Sequence, residues 1–145
     1  MKKQALAVFA IVTLLITLSV GFAYAGTFGS RVRADIPFDF VAGNKTLPSG
    51  TYTAELLQGS NVLVIRDQYN PTSVVSHSST VSEVETEHNS PKFVFSRYGD
   101  QYFLKQVWSG TRLDGRELSK SQQEREYLAQ GRLGPEIISI VALNR

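Results

Sequence analysis

The chain contains no cysteine. This absence excludes disulfides, thiolate metal sites, a cysteine nucleophile and the lipid-bearing cysteine of a bacterial lipoprotein. Stability must therefore come from packing alone. Small secreted animal domains often carry disulfides, so their absence here, together with the Met-Lys-Lys start, favours a bacterial periplasmic or extracellular protein.

Recognisable catalytic motifs are also missing. The sequence has no Gly-x-Ser-x-Gly elbow, no His-Glu-x-x-His pair and no phosphate-binding glycine loop. Asp35, Asp39, Glu55 and Asp100 are carboxylates that a fold could bring together, but nothing in their spacing indicates that it does. We therefore predict that the protein is not an enzyme, and we assign no catalytic, cofactor-binding or metal-binding residue and no cofactor.

Glu83, Glu85 and Glu87 repeat at a spacing of two and would align along a strand, where they could attract a hard cation such as calcium. They lack the glycine-containing loop of a calcium site, so we interpret them as solvated carboxylates. His77 and His88 are the two histidines, and their spacing matches no zinc motif.

The N-terminus has the three parts of a secretory signal peptide: Lys2 and Lys3, an apolar run from Ala5 to Val20, and the Ala23-Tyr24-Ala25 cleavage site. An uncleaved membrane anchor is the alternative, but the run is shorter than the ~20 residues of a spanning helix. We predict a signal peptide over residues 1–25, cleavage after Ala25, and a single β-rich domain over residues 26–145 without stable membrane insertion. The expected location is the periplasm or the extracellular space.

Charge is nearly balanced. Without Lys2 and Lys3 the count of Lys and Arg falls from 15 to 13, which equals the 13 Asp and Glu. Binding to nucleic acid or to an anionic membrane requires a basic patch. The neutral domain has no such cluster, so we expect neither partner.

The most informative stretch is Phe93 to Trp108, which is rich in aromatic residues on both sides of Gly99-Asp100. This pattern predicts a β-hairpin with a two-residue turn. The turn sets Phe95 opposite Leu104, Phe93 opposite Gln106 and Val94 opposite Lys105. We expect Phe93, Phe95 and Leu104 to share a core face. An aromatic binding platform is the alternative.

Other segments alternate or concentrate apolar residues as strands do. They are residues 32–36, continuing beyond Pro37 through Phe38, Phe40 and Val41, then 52–57 and 62–66 as a second hairpin, 73–85 as one long or broken strand, and 137–143. Turns are expected at Gly43-Asn44 and at Leu47 to Gly50. The fold class is therefore mainly β, an antiparallel β-sandwich or partly open β-barrel of about seven strands with one C-terminal helix packed on it.

The helix is predicted over Ser119 to Gln130, because Ser121 and Glu124 match a capping box and Gly131 lies where a helix would end. Its charged side is expected to be solvated; the residues concerned are Lys120, Glu124, Arg125 and Glu126. The segment from Ile137 to Leu143 has apolar residues on both faces, so we expect it to lie inside the sheet and beneath the helix.

Three motifs resemble a family of small uncharacterised exported bacterial proteins. They are Ile-Pro-Phe-x-Phe (Ile36 to Phe40), Leu-Pro-small-Gly-Thr-Tyr (Leu47 to Tyr52) and Arg-Tyr-Gly-Asp-Gln-Tyr-Phe-Leu (Arg97 to Leu104). The resemblance extends through Gly115 to Leu118 and covers most of the mature chain. It implies export and a shared fold, and it assigns no activity and no functional residue.

These observations favour an exported non-enzymatic β-domain that acts through an unknown protein or cell-surface partner; the oligomeric state stays open. The alternative is a carrier of a small apolar ligand in a β-barrel lumen, with Tyr98, Tyr102 and Trp108 near its mouth. An outer-membrane barrel is disfavoured, because most segments are shorter than the ~9 to 11 residues that membrane strands need.

Overall fold

The computed structural model describes residues 31–57, 59–81, 90–110, 115–131 and 134–144. These residues form eleven strands and one helix, in this order: β1 (Val32–Ile36), β2 (Phe40–Ala42), β3 (Lys45–Leu47), β4 (Gly50–Leu56), β5 (Val62–Asp67), β6 (Ser73–Val81), β7 (Lys92–Tyr98), β8 (Gln101–Trp108), β9 (Gly115–Leu118), α1 (Gln122–Ala129), β10 (Glu136–Val141) and β11 (Leu143–Asn144). The mainly β class with one C-terminal helix is confirmed.

One curved sheet contains all eleven strands, and nine of them follow the spatial order β10-β7-β8-β9-β6-β5-β4-β1-β11. Its two ends, β10 and β11, are consecutive in the chain and are separated by Ala142 alone. The sheet therefore curls back to its own start, while the ladders of the described residues do not join β1 to β10 directly. This arrangement is a partly open barrel.

The short hairpin of β2 and β3 lies beside this path. Val41 of β2 pairs with Phe103 of β8 in parallel orientation, and β3 pairs with β2 alone among the described strands. Phe40, Ala42 and Leu47 join the main core from this hairpin. The sequence predicted only about seven strands. Strands of two to four residues such as β3, β9 and β11 were missed, because so short a pattern cannot be recognised.

Alternation along the strands places one set of side chains inside. In β1, Val32, Ala34 and Ile36 are buried, and Ala34 lies opposite the buried Tyr52 of β4. Side chains point to opposite faces at successive positions of a strand, so the period of two in the sequence is enough to place these residues. The predicted break at Pro37 is the end of β1.

Aromatic rings fill the centre of the barrel. Phe40 contacts Tyr52 and Phe95 edge to face, with ring centroids 5.0 and 5.4 Å apart. Phe38 contacts Phe95 at 5.1 Å and stacks on Tyr102 at 3.8 Å. Such contacts add about 0.5 to 1.5 kcal/mol per pair to the free energy gained by burial.

The central hairpin forms as predicted near its turn. Gly99 has φ +62° and Tyr98 pairs with Gln101, so Gly99 and Asp100 are the two turn residues. Phe95 lies opposite Leu104, as expected. Phe93, Phe95 and Leu104 are all buried in the main core, and this prediction is confirmed.

Beyond Leu104 the predicted register is wrong. A β-bulge leaves Lys105 without an opposite residue, so Val94 pairs with Gln106 and Phe93 pairs with Val107. A bulge inserts one residue into one strand and changes the phase of everything after it. Here the bulge places Val107 in the core and turns Gln106 away from it. The unbroken alternation assumed for the hairpin would have placed Gln106 in the core and Val107 outside it.

Ser121 is the N-cap as predicted, but the second hydrogen bond of a capping box is not formed, because the Glu124 carboxyl accepts from Tyr98. The Ser121 Oγ accepts a hydrogen bond of 3.0 Å from the Glu124 amide, and Gly131, with φ +64°, follows the helix end. The expected solvation of Glu124 is wrong, because this side chain is buried between the helix and the sheet. Arg125 and Glu126 are exposed as expected.

The prediction for the C-terminal strand is wrong in two respects. The ladders place β10 at one end of the sheet path, paired with β7 alone among the described strands. Its outward side chains Ile137 and Val141 are exposed, and the helix does not cover them. The helix is only eight residues long and packs elsewhere, against Tyr98 and Phe103 on the outer side of β7 and β8.

Candidate interaction surface

The outer side of the C-terminal strands is the largest departure from the expected burial. Ile137, Val141 and Leu143 are 51%, 74% and 71% exposed. On the opposite side, Ile138 and Ile140 are half-buried and pack against the main core. We call the three exposed residues the C-terminal stripe. Its apolar side chains have no stabilising role in the core that explains them.

Two residues of the stripe lie opposite polar residues of β7. Ile137 pairs with Ser96, and Val141 pairs with Lys92. Ser96 is buried and Lys92 is half-buried, with its ammonium 5.3 Å from the centre of the Trp108 ring. These neighbours on β7 therefore give Ile137 and Val141 no apolar contact across the ladder.

Ala142 turns the chain from β10 to β11. Its amide donates a hydrogen bond of 2.8 Å to the Pro91 carbonyl, and its methyl group is buried in the main core. After this bend, Leu143 pairs with Arg33 of β1. The strand edge of β10 before Ala142 has no ladder partner among the described residues, and such an edge can pair with another strand.

Two other exposed apolar side chains provide a comparison. Tyr69 is 75% exposed in the loop after β5, where the Asp67 carboxylate accepts hydrogen bonds from the Tyr69 and Asn70 amides. Val75 is 65% exposed on β6, where it pairs with Val64 of β5. Isolated exposed apolar residues are common. The C-terminal stripe differs in combining three of them with a strand edge.

The aromatic residues that the carrier hypothesis placed at a barrel mouth do not come together. Tyr98 is buried on the outer face, with its ring centroid 5.7 Å from that of Phe103. Tyr102 stacks on Phe38. Trp108 lies against the backbone of Gly115, where an added Cβ would be 2.7 Å from the indole ring.

The four carboxylates considered for catalysis do not form one group among the described residues. Asp35 accepts a hydrogen bond from the Thr51 hydroxyl, and Asp39 accepts one of 2.8 Å from the Ser49 amide. Glu55 is buried and forms an ion pair of 3.2 Å with Arg31. Asp100 is exposed in the hairpin turn. Asp35, Asp39 and Glu55 are thus each held by a hydrogen bond or ion pair to another segment of the fold.

Glu124 is the carboxyl group with the most unusual surroundings. Its side chain is 6% exposed, and its Oε1 accepts a hydrogen bond of 3.2 Å from the Tyr98 hydroxyl. Burial raises the pKa of Glu124, while the Tyr98 hydrogen bond and the charges of Lys120 and Lys105 oppose the increase. The pKa of Tyr98 is also raised, first by burial and then by the charge of Glu124.

The remaining predicted positions contribute no site. His77 is exposed on β6, while His88 and the glutamates at 83, 85 and 87 lie outside the described residues. The described part of the chain brings no three His, Asp or Glu side chains into a group that could hold a metal ion. Over the same part, no helix is both long and apolar enough to cross a membrane.

Sequence reasoning missed both the C-terminal stripe and the buried position of Glu124. The apolar residues on both faces of β10 suggested two covers, although a helix of this length can cover only a small area. For Glu124, the available signal was its spacing of three from Tyr127, which places the two on neighbouring turns of the helix.

The comparisons with known proteins give no relative: no family model, no curated protein and no solved structure matches the chain.

Proposed function

We propose that the protein is an exported, non-enzymatic β-domain that binds a protein partner through the C-terminal stripe. The single observation that carries this proposal is the exposure of Ile137, Val141 and Leu143 on strands that end the sheet path. Apolar side chains on a strand edge provide both hydrophobic contact area and free backbone hydrogen-bonding groups.

An extended peptide that pairs with β10 would use both features. Peptides bind sheet edges through main-chain hydrogen bonds, while alternate side chains supply the specificity. Ile137 and Val141 lie four residues apart on the outward face of β10. A strand that paired with β10 would place its own outward side chains beside these two residues. The partner expected from this geometry has an extended segment with apolar residues at alternate positions.

The interior of the barrel favours this proposal over a carrier of apolar ligands. Phe40, Phe93, Phe95 and Tyr52 are among the largest fully buried side chains. They occupy the volume that a lumenal ligand would need, as is expected for small barrels, whose interiors their own side chains can fill.

The test places a photocrosslinking amino acid at position 141 in the protein expressed by its own organism. The matched control carries the same residue at position 75, also an exposed valine, which lies in the part of β6 that pairs with β5. We expect a discrete adduct from position 141, identified by mass spectrometry, and none from position 75. No adduct at position 141, or the same adducts at both positions, would overturn the proposal.

A second measurement addresses the contact itself. Val141→Ser should remove the adduct formed from a crosslinker at position 137 without changing the melting temperature, because this side chain is exposed and contributes little to stability. An unchanged adduct yield would show that the partner does not contact Val141.

A further inference from the structure

Helix α1 covers a second, smaller apolar cluster on the outside of the barrel. Val41, Tyr98 and Phe103 are buried there, and Tyr127 of the helix packs on them. The Tyr127 ring lies 5.8 Å from Phe103 and 6.5 Å from Tyr98, measured between centroids. We call the three sheet residues the outer patch. It belongs to neither the barrel interior nor the C-terminal stripe.

The apolar contact that fixes this helix is small. Leu128 is 37% exposed, and Glu124 is the one residue within α1 that is buried. Helices are normally fixed by an apolar stripe against the core. Here a carboxyl group lies where an apolar side chain would be expected, so docking of the helix depends on the state of that group.

Titratable and charged groups face Glu124 from each side. Tyr98 of β7 donates the hydrogen bond at 3.2 Å. Lys105 of β8 and Lys120, which precedes the helix, favour the charged form of the carboxyl, and Glu117 of β9 disfavours it. The helix itself contributes Tyr127 to the contact. These charges oppose one another, and burial is the largest influence on the carboxyl.

We propose that α1 is a proton-controlled cover of the outer patch, which the protonated Glu124 carboxyl holds closed and the ionised carboxyl loosens. A buried carboxylate with one neutral donor loses much of its hydration, whereas the protonated acid loses little. Acidification therefore tightens the helix on the sheet.

The direction follows from proton linkage. Because burial raises the pKa of Glu124 in the docked state, that state binds the proton more strongly than the undocked state does. The contribution of this carboxyl to docking is complete below its ordinary value of 4.5 and is lost as the pH rises through the docked pKa. The periplasm and the cell exterior are compartments in which such changes of pH would reach the protein.

Amide hydrogen exchange of residues 125–130, measured between pH 4 and pH 8 and divided by the intrinsic rate at each pH, tests the cover. In the wild type, protection should decrease as the pH rises. The total decrease is up to about tenfold for each unit by which the pKa of Glu124 in the docked state exceeds its pKa in the undocked state. Glu124→Gln should keep the low-pH protection at every pH, because an amide oxygen can still accept from Tyr98. Glu126→Gln is the matched control, since it removes an exposed carboxyl from the same helix.

Tyr98→Phe supplies a second variant that keeps the ring. The Tyr98 hydrogen bond lowers the pKa of Glu124, so its loss should move the decrease in protection to higher pH. A decrease in the wild type that is absent in Glu124→Gln and present in Glu126→Gln supports the cover. A pH-independent wild type, or the same pH dependence in both Gln variants, overturns it.

Exposure of the outer patch can be measured separately, because the chain has no cysteine of its own. Val41→Cys places a thiol beneath the helix, and Thr46→Cys places one on the exposed β3 as a reference for thiol ionisation. The ratio of their labelling rates should increase as the pH rises, and Glu124→Gln should abolish the increase. A constant ratio would show that the helix does not uncover the patch.

Discussion

Among the described glycines, Gly115 has the least room for an added Cβ, because the Trp108 ring lies against it. A Cβ at position 115 would lie 2.7 Å from two atoms of the indole, a distance that real Cβ atoms essentially never show. Gly115 is therefore required by the packing of Trp108 across β9, and its φ is not in the left-handed region.

The first prediction concerns this contact. Gly115→Ala should lower the free energy of unfolding by about 1 to 3 kcal/mol, because added atoms in a packed site force the ring or the strand to move. Trp108 is the one tryptophan, so its fluorescence reports the displacement directly. Gly134→Ala is the control, since its Cβ meets no described atom within 4 Å. Equal emission spectra and stabilities for the two variants would contradict the contact.

Phe95 tests the aromatic core. Phe95→Ala should lower the free energy of unfolding by about 3 to 5 kcal/mol, the cost of truncating a buried phenylalanine, because it removes contacts with Phe38 and Phe40. Tyr69→Ala removes an aromatic ring that is 75% exposed and should change stability by about 0.5 kcal/mol or less. Urea unfolding of both variants measures the difference. A loss below about 1 kcal/mol for Phe95→Ala would place this ring outside the core.

At the scale of single elements, the sequence predicts best where the signal is local. The turn at Gly99, the N-cap at Ser121 and the alternation in β1 all follow from residues close in the chain, and each is observed. The bulge at Lys105 has no such local signature. It is decided by which of Gln106 and Val107 packs better against the opposite strand, and that comparison needs the assembled barrel.

Deleting Lys105 tests the interpretation of the bulge. Without it, Leu104, Gln106, Val107 and Trp108 would alternate in a regular strand and keep the faces they have now. We expect cooperative unfolding to persist, with a loss near the ~1 kcal/mol typical of a single change.

Deletion of Thr53 from the regular ladder of β4 is the control. It would turn Ala54 outwards and Glu55 into the core, and should abolish cooperative unfolding. If both deletions unfold the protein, Lys105 is not a spare residue, and the phase change at the bulge needs another explanation.

For the whole molecule, the class of fold could be predicted and its closure could not. Periodicity and turn residues identify strands and a helix one at a time. The order of the strands depends on long-range pairing, such as that of β6 with β9 and of β1 with β11, which two or four residues hardly encode. The exposed side of β10 was missed for the same reason, because burial is a property of the assembled neighbours.

Export is the prediction that applies to the entire chain. Mass spectrometry of the extracytoplasmic fraction should detect a protein that begins at Gly26, because Ala23-Tyr24-Ala25 precedes the expected cut. Changing Ala23 and Ala25 together to bulky Leu residues should leave residues 1–25 attached, which provides the control. Recovery of the unchanged protein only as the full-length cytoplasmic form would reject export.

The pairing of β1 with β11 makes Val32 and Asn144 direct neighbours. A short linker could therefore join these two positions, and new ends could be made in the turn at Gly59 and Ser60, where the backbone is near the surface. Such a circular permutant would keep every ladder of the sheet, while β5 would become its first strand. The linker would connect β11 to β1 covalently beside their ladder, so the permutant separates the role of this pairing from the role of chain order.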